Sequence, residues 1–324
     1  MEWLNKRRIL YFSGGIFACC LFLLFYVFYN IFKSSDYPED RNIIIEVNSS
    51  DEDIAHALIE GKVTDSPFIA KIAVSTAKKI GLKLEAGEYW IPKGASVYRV
   101  LKIFSTDRKV VRKITIPEGF SVAQFIDRLN ENEFLTGRID EIPAEGSLMP
   151  DTYCFCYPAS RQHIIDQARK MMSDFIKKEW PKRSRSCFLK TPEEAIILAS
   201  IVEKETFLER ELVAGVYLNR LQKKMRLQAC PTVIYGITKG KPLMRKLLYS
   251  DLKKDSPYNT YRNSGLPPTA ITNPGRESIL AVLHPAETEY LFFVFDGNSR
   301  HIFSKTFEEH KQNRKNINQR LRNK

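Results

Sequence analysis

Apolar positions follow three patterns along the chain. From Ile9 to Phe32 hydrophobic and aromatic residues run on with no charge among them. These 24 residues, at about 1.5 Å of helix each, extend roughly 36 Å and can cross a bilayer core of about 30 Å. Lys6, Arg7 and Arg8 precede the run, and Asp36, Glu39 and Asp40 follow it. The positive-inside tendency predicts residues 1–8 in the cytoplasm, 9–32 across the membrane and the remainder outside. A cleaved signal peptide would have a shorter apolar core and a small-x-small cleavage site, so the pattern predicts an uncleaved, single-pass anchor. Residues 33–42 are polar and read as a linker.

From Ile43 the pattern becomes mixed. Ile43–Val47 reads as a strand, Asp53–Glu60 as a short helix and Phe68–Leu82 as a longer one. Glu85–Ile91 reads as turn and strand, and Ser96 is placed to cap a helix through Phe104. This is a small strand-helix-helix-strand module over residues 43–110. Such modules serve both as polysaccharide binders and as plain scaffolds, and the pattern does not choose. Val110–Ile116 alternates as a strand, Pro117-Glu118-Gly119 is a turn, and Ser121 opens a helix through Leu129. From about Glu145 helical spacing dominates. Near the end, Tyr290–Phe295 and His301–Ser304 form a predicted hairpin across Asp296–Ser299. Thr306 and Glu309 have the spacing of a capping box opening a last helix, and His301 reads as structural. The expected fold class is α+β, with one transmembrane helix, a small α/β module, and a mainly helical domain over residues 111–324 that carries a C-terminal β-hairpin.

Composition narrows the possible partners. A length of 324 residues accommodates two domains, and 44% hydrophobic with 27% charged residues is the balance of a globular chain, not a disordered one. The net charge of +12 suits an anionic partner, but six basic residues and no acid fall between Lys311 and Lys324. That cluster reads as a solvated helix or tail. Without a zinc finger or an aromatic RNP pattern, nucleic acid is not expected as a partner. The six cysteines form no C-x-x-C pair and have no Cys/His ligand spacing, so no metal is expected. A disulfide among Cys154, Cys156, Cys187 and Cys230 stays open.

The segment from Pro192 to Thr206 is the most informative. Thr191 suits an N-cap, Pro192 the first helical position, and Glu194 the third position of a capping box. Ala195 to Val202 is apolar on nearly every side, which predicts a buried helix. It ends in Glu203-Lys204-Glu205-Thr206. A carboxylate at the C-terminal end of a buried helix meets both desolvation and the negative end of the helix dipole. Both raise its pKa, the condition for a general acid near neutral pH. A frayed, solvated last turn would explain the same residues. Spacing does not choose between the acids: Glu203 follows Ile196 and Ala199, and Glu205 follows Leu198 and Ile201, by the same steps.

Nine segments, in order, carry a resemblance. They are Ile116–Ser121, Glu145–Tyr153, Ala199–Thr206, Val216–Leu221, Met225–Gln228, Pro231–Gly236, Ser256–Tyr261, Gly265–Pro268 and Asn273–Gly275. Together the chain beyond the linker resembles the YceG-like (MltG) family of endolytic peptidoglycan transglycosylases. The resemblance implies a LysM-like module over 43–110 and a lysozyme-like catalytic domain over 111–324. It implies cleavage between N-acetylmuramic acid and N-acetylglucosamine of nascent strands, leaving 1,6-anhydro ends and terminating glycan elongation, with no cofactor. It also implies a place in the bacterial cytoplasmic (inner) membrane, near synthases of the elongation machinery. The family acid carries over to Glu205, whose pair with Thr206 is similar to the Glu-Ser pair closing the catalytic helix of lysozyme-like lytic transglycosylases; Glu203 is the second candidate. Where the family often has Thr-Asp, this chain has Ala229-Cys230.

Other residues are candidates for holding sugar. Tyr258, Asn259 and Tyr261 lie in a predicted loop where rings could stack on sugars and an amide could meet an N-acetyl group. Asn219, Gln228 and Asn273 could line the same cleft, or satisfy backbone groups instead. Three readings compete with a lytic enzyme: a non-catalytic, membrane-anchored scaffold that binds peptidoglycan, a hydrolase that uses water, and a serine or cysteine hydrolase. The last has no G-x-S-x-G elbow to support it.

Overall fold

Helix starts are set by short polar residues. Ser50, Ser66, Ser96, Ser121 and Ser160 each lie in extended backbone and accept a hydrogen bond from the N–H three residues on, satisfying one of the donors a helix start leaves open. The structure, a computed structural model, describes residues 2–322. Met1, Asn323 and Lys324 lie outside the described residues, as do the side chains of the basic flank Lys6, Arg7 and Arg8 and those of Leu321 and Arg322. Eleven α-helices and several two-stranded sheets among the described residues make the chain α+β. It divides into two compact units, Met1–Arg112 with Cys154–Ala159, and Lys113–Tyr153 with Ser160–Lys324.

In the first unit, α1 (Glu2–Phe32) contains Gly14–Phe32, 19 residues of mean hydropathy 2.2 with none of that window buried. By length and composition it is able to cross a membrane. Strands β1 (Arg41–Ile45) and β2 (Gly87–Ile91) pair antiparallel, with Ile43 opposite Tyr89 and Arg41 opposite Ile91. The first strand starts two residues earlier than its apolar pattern suggested. Asn48, at φ 64°, turns the chain into the Ser50 cap. Alternation sends Ile43, Ile45, Tyr89 and Ile91 inward. Helices α2 (Asp51–Glu60), α3 (Pro67–Lys79) and α4 (Val97–Phe104) cover them with Leu58, Val74, Val100 and Phe104. Glu88 is 1% exposed and takes two hydrogen bonds from Arg112, at 2.5 and 2.8 Å, and one from Asn42. A charge buried in that way is tolerated because it is fully paired.

Four short strands, β3 (Val111–Thr115), β4 (Leu135–Thr136), β5 (Thr152–Cys156) and β6 (Ala159–Ser160), lie along the middle of the chain. Of the last three, two are only two residues long, and β5 buries Tyr153 and Phe155 while exposing Thr152 and Cys154. The second unit contains α5 (Val122–Asn130), α6 (Arg161–Glu179), α7 (Pro192–Glu205), α8 (Arg210–Gln222), α9 (Cys230–Thr238) and α10 (Arg276–Leu283). The hairpin of β7 (Phe292–Phe295) and β8 (His301–Ser304) then leads into α11 (Phe307–Arg322). Glu209 holds the start of β8, accepting from His301 at its main-chain N–H and standing 2.9 Å from its ring Nδ1. Leu198, Ile201 and Val202 of α7, Val213 and Tyr217 of α8, and Ile279 and Val282 of α10 share one core. All six cysteines are free thiols.

Candidate active site

Helix α7 is held at both ends. Thr191 Oγ1 accepts from Glu194 N–H at 3.2 Å, while Glu194 reaches back to Lys190 N–H, one residue beyond the partner a capping box would use. At the other end, residues Leu198 to Glu203 are all buried. The two acids of the last turn point into different surroundings.

Glu203 has a fully buried side chain. Its Oε2 accepts from the N–H of Gly275, the residue that opens α10, at 2.9 Å. Its Oε1 lies 3.7 Å from Arg210 Nη2. That guanidinium also meets Glu277 at 2.6 Å, Ser278 at 3.0 Å, and Glu118 at 3.5 Å. Burial pushes the Glu118 carboxyl above its usual range, and the negative charge of Glu203 adds to the shift. Gly119, at φ 73°, lets the turn pass close to Glu203 and Lys204, and a Cβ on Gly275 would collide with the Glu118 carboxylate.

Glu205 is only half-buried and has a different kind of partner. The hydroxyl of Tyr217, from the facing helix α8, donates to its Oε1 at 2.9 Å. Tyr217, Arg220, Cys230 and Tyr261 all feel the charge of Glu205. Arg220 offers a positive field but little direct bonding: its donors go to the carbonyls of Leu291 at 2.6 Å and Leu227 at 2.8 Å. Lost solvation raises the Glu205 pKa to about 7, opposed by the Tyr217 hydrogen bond and by Arg220. Such a carboxyl keeps its proton in a good fraction of molecules at neutral pH and can hand it to a group arriving from solvent.

Tyr261 is the loop residue brought to this acid; its hydroxyl sits 3.1 Å from Cys230 Sγ, at the first turn of α9. Gln228, at φ 53°, is exposed on the segment leading to that turn. Tyr258 packs its ring 4.8 Å from that of Tyr235 and meets Thr269 through its hydroxyl. The three asparagines are occupied with main chain. Asn219 donates to the carbonyls of Thr288 and Tyr290, and Asn259 to those of Leu252 and Lys254. Asn273, fully buried, accepts from Leu148 N–H and donates to Phe120 O. Among the described residues no group of three His, Cys, Asp or Glu side chains is placed to hold a metal ion.

The description of the YceG-like family matches residues 43–316. This chain belongs to the YceG-like family. An endolytic murein transglycosylase of Bacillus subtilis (strain 168) is 33% identical to it over 306 residues, 83% of this chain and 82% of that protein. One from Streptococcus pneumoniae serotype 2 (strain D39 / NCTC 7466) is 26% identical over 278 residues, 71% of this chain and 50% of that longer protein. A crystal structure of a yceG-like protein from Listeria monocytogenes matches with a TM-score of 0.52 and 31% identity, covering 85% of this chain and 99% of the other. Within this YceG-like chain, spacing alone singled out neither Tyr217 nor Arg210, the partners that distinguish the two acids. The loop between α7 and α8 is only four residues, 206–209. So short a loop makes the two helices neighbours, and residues on α8 could have been sought opposite the end of α7 for that reason.

Proposed function

We propose that this chain cuts peptidoglycan glycan strands as an endolytic lytic transglycosylase, with Glu205 as both acid and base. The observation that carries this reading is the Glu205 carboxyl, half-open to solvent at the end of a buried helix, held by Tyr217 and shifted to a pKa of about 7. The names of the Bacillus and Streptococcus relatives support the substrate and the reaction. The bond cut joins N-acetylmuramic acid to N-acetylglucosamine. Protonated Glu205 gives its proton to the leaving glycosidic oxygen as the C1–O bond breaks. The carboxylate then takes the proton of the muramoyl C6 hydroxyl, which attacks C1 of the same sugar. The product is a 1,6-anhydro end, no water is consumed, and Glu205 is protonated again. An attacking hydroxyl held within the substrate replaces a bound water and the second carboxylate that many glycosidases use.

Glu203 has a different role in this reading: its bond from the Gly275 N–H and its approach to Arg210 fix the helix end. Residues 43–110 act as a LysM-like module and 111–324 as a lysozyme-like catalytic domain. The apolar helix over 9–32 anchors the chain in the bacterial cytoplasmic membrane with its N-terminus in the cytoplasm, near synthases of the elongation machinery, where a cut terminates a growing strand. A non-catalytic scaffold would need no carboxyl kept protonated beside a tyrosine, and is the weaker reading.

Digestion of purified glycan strands, with products weighed by mass spectrometry, tests the assignment. The parent should release anhydro-muropeptides, Glu205→Gln none, and Glu203→Gln some. Reducing ends in place of anhydro ends would make the chain a hydrolase. Full activity in Glu205→Gln with loss in Glu203→Gln would transfer the role to Glu203.

A further inference from the structure

A groove of about 380 Å³, to which the reaction described above assigns no part, is lined by the residues that neighbour Glu205 and Cys230 in the chain. Two elements of the proposed site contribute to it. Lys204 comes from the last turn of α7, and Pro231 from the first turn of α9, next to Cys230. Ile234, Tyr235 and Leu243 supply apolar walls, and Lys241 lies on the exposed segment that follows α9. The volume falls within the range of pockets that take small ligands.

Its charge is lopsided. Arg245 also reaches the groove, but Asp251 takes its guanidinium in a two-pronged pair at 2.6 and 2.9 Å. Lys204 and Lys241 have no carboxylate partner among the described residues, and Lys204 makes only a long contact, 3.5 Å, with the carbonyl of Gly119. No acidic side chain lines the groove. Two uncompensated ammonium groups over apolar and aromatic walls suit a ligand that is anionic at one end and part-apolar along its length. Carboxylates meet lysine in charge-assisted hydrogen bonds, and short peptide side chains fill the rest.

We propose that this groove holds the carboxylate-bearing peptide stem of the muramoyl residue whose glycosidic bond is cut beside it. The inference rests on the lytic reading of Glu205. It adds a reason for endolytic cutting to favour strands that still carry their peptides: the stem, once seated against Lys204 and Lys241, fixes which sugar face meets the acid.

The test uses the full-length protein in detergent and two substrates, stem-bearing strands and the same strands stripped of peptide by an amidase. The parent should show the lower KM on stem-bearing strands. Lys241→Glu should raise that KM about tenfold with kcat unchanged, leave stripped strands unaffected, and Lys241→Arg should restore the parent value. A muramoyl tripeptide titrated into the Glu205→Gln protein should bind, about tenfold more weakly once Lys241→Glu is added. Anhydro ends released with equal KM on both substrates, or an equal loss on both in Lys241→Glu, overturn the groove assignment alone. Lys241-dependent binding of the tripeptide with no cleavage of either strand sinks the lytic reading and leaves a peptide-binding groove.

Discussion

Glu203 and Glu205 stand two residues apart on the last turn of α7, yet one is enclosed beside a main-chain N–H and a guanidinium and the other is half-open beside a tyrosine hydroxyl. Around Glu203 the donor is the Gly275 main-chain N–H, and the Arg210 guanidinium stands 3.7 Å from the other oxygen. Around Glu205 the donor is a neutral hydroxyl, and the nearby guanidinium is spent on carbonyls. Burial is the greater at Glu203, but its surroundings bring a positive partner close, while those of Glu205 bring a neutral one.

The largest test of this contrast is catalytic. Glu205→Gln should lower kcat by about 10²–10⁴-fold on glycan strands, the usual contribution of a general acid, with the far-ultraviolet circular dichroism unchanged. Glu203→Ala should act on the fold instead. It strips the Gly275 N–H of its acceptor and Arg210 of one carboxylate, at about 2–3 kcal/mol, read as a lower midpoint in urea. A similar loss in Glu205→Ala would erase the distinction. Stability should also depend on pH through Glu205. The Glu205 pKa is raised from 4.5 to about 7, so the unfolded chain releases this proton first. Its contribution is intact below pH 4.5 and is lost as pH rises to about 7. Glu205→Gln should therefore be more stable than the parent at pH 8, on the order of 1–2 kcal/mol, with the gap closing at pH 4. The smallest effect belongs to Tyr217→Phe. Removing a donor to the carboxylate raises the Glu205 pKa further, so the alkaline fall in kcat/KM should move to higher pH, with a loss in kcat of about fivefold. An alkaline limb that stays in place would remove Tyr217 from the acid's control.

Much of the frame was legible in the residues because local rules set it. The Ser96 and Ser121 caps, the apolar run of α7 and the Thr306–Glu309 box all have local physical causes, and those helices begin where the rules put them, whereas α2 starts at Asp51, two residues before its apolar pattern, behind the Ser50 cap. The choice between the two acids was not legible. Both sit at equivalent steps behind apolar positions, and what separates them arrives from Tyr217 on the next helix and Gly275, 72 residues away. Amide side chains were hard to read for a related reason. Asn219, Asn259 and Asn273 have the chemistry of sugar ligands, but the same amides satisfy carbonyls that irregular backbone leaves open. Only the folded path reveals how those amides are used.

The bond from Gly275 to Glu203 also has a bearing on biosynthesis. When a ribosome adds Glu203, the glycine whose N–H holds that carboxylate is still 72 residues from being translated. A half-made chain therefore carries a helix whose buried carboxylate waits for its main-chain donor, and the end of α7 sets only once α10 has emerged and docked.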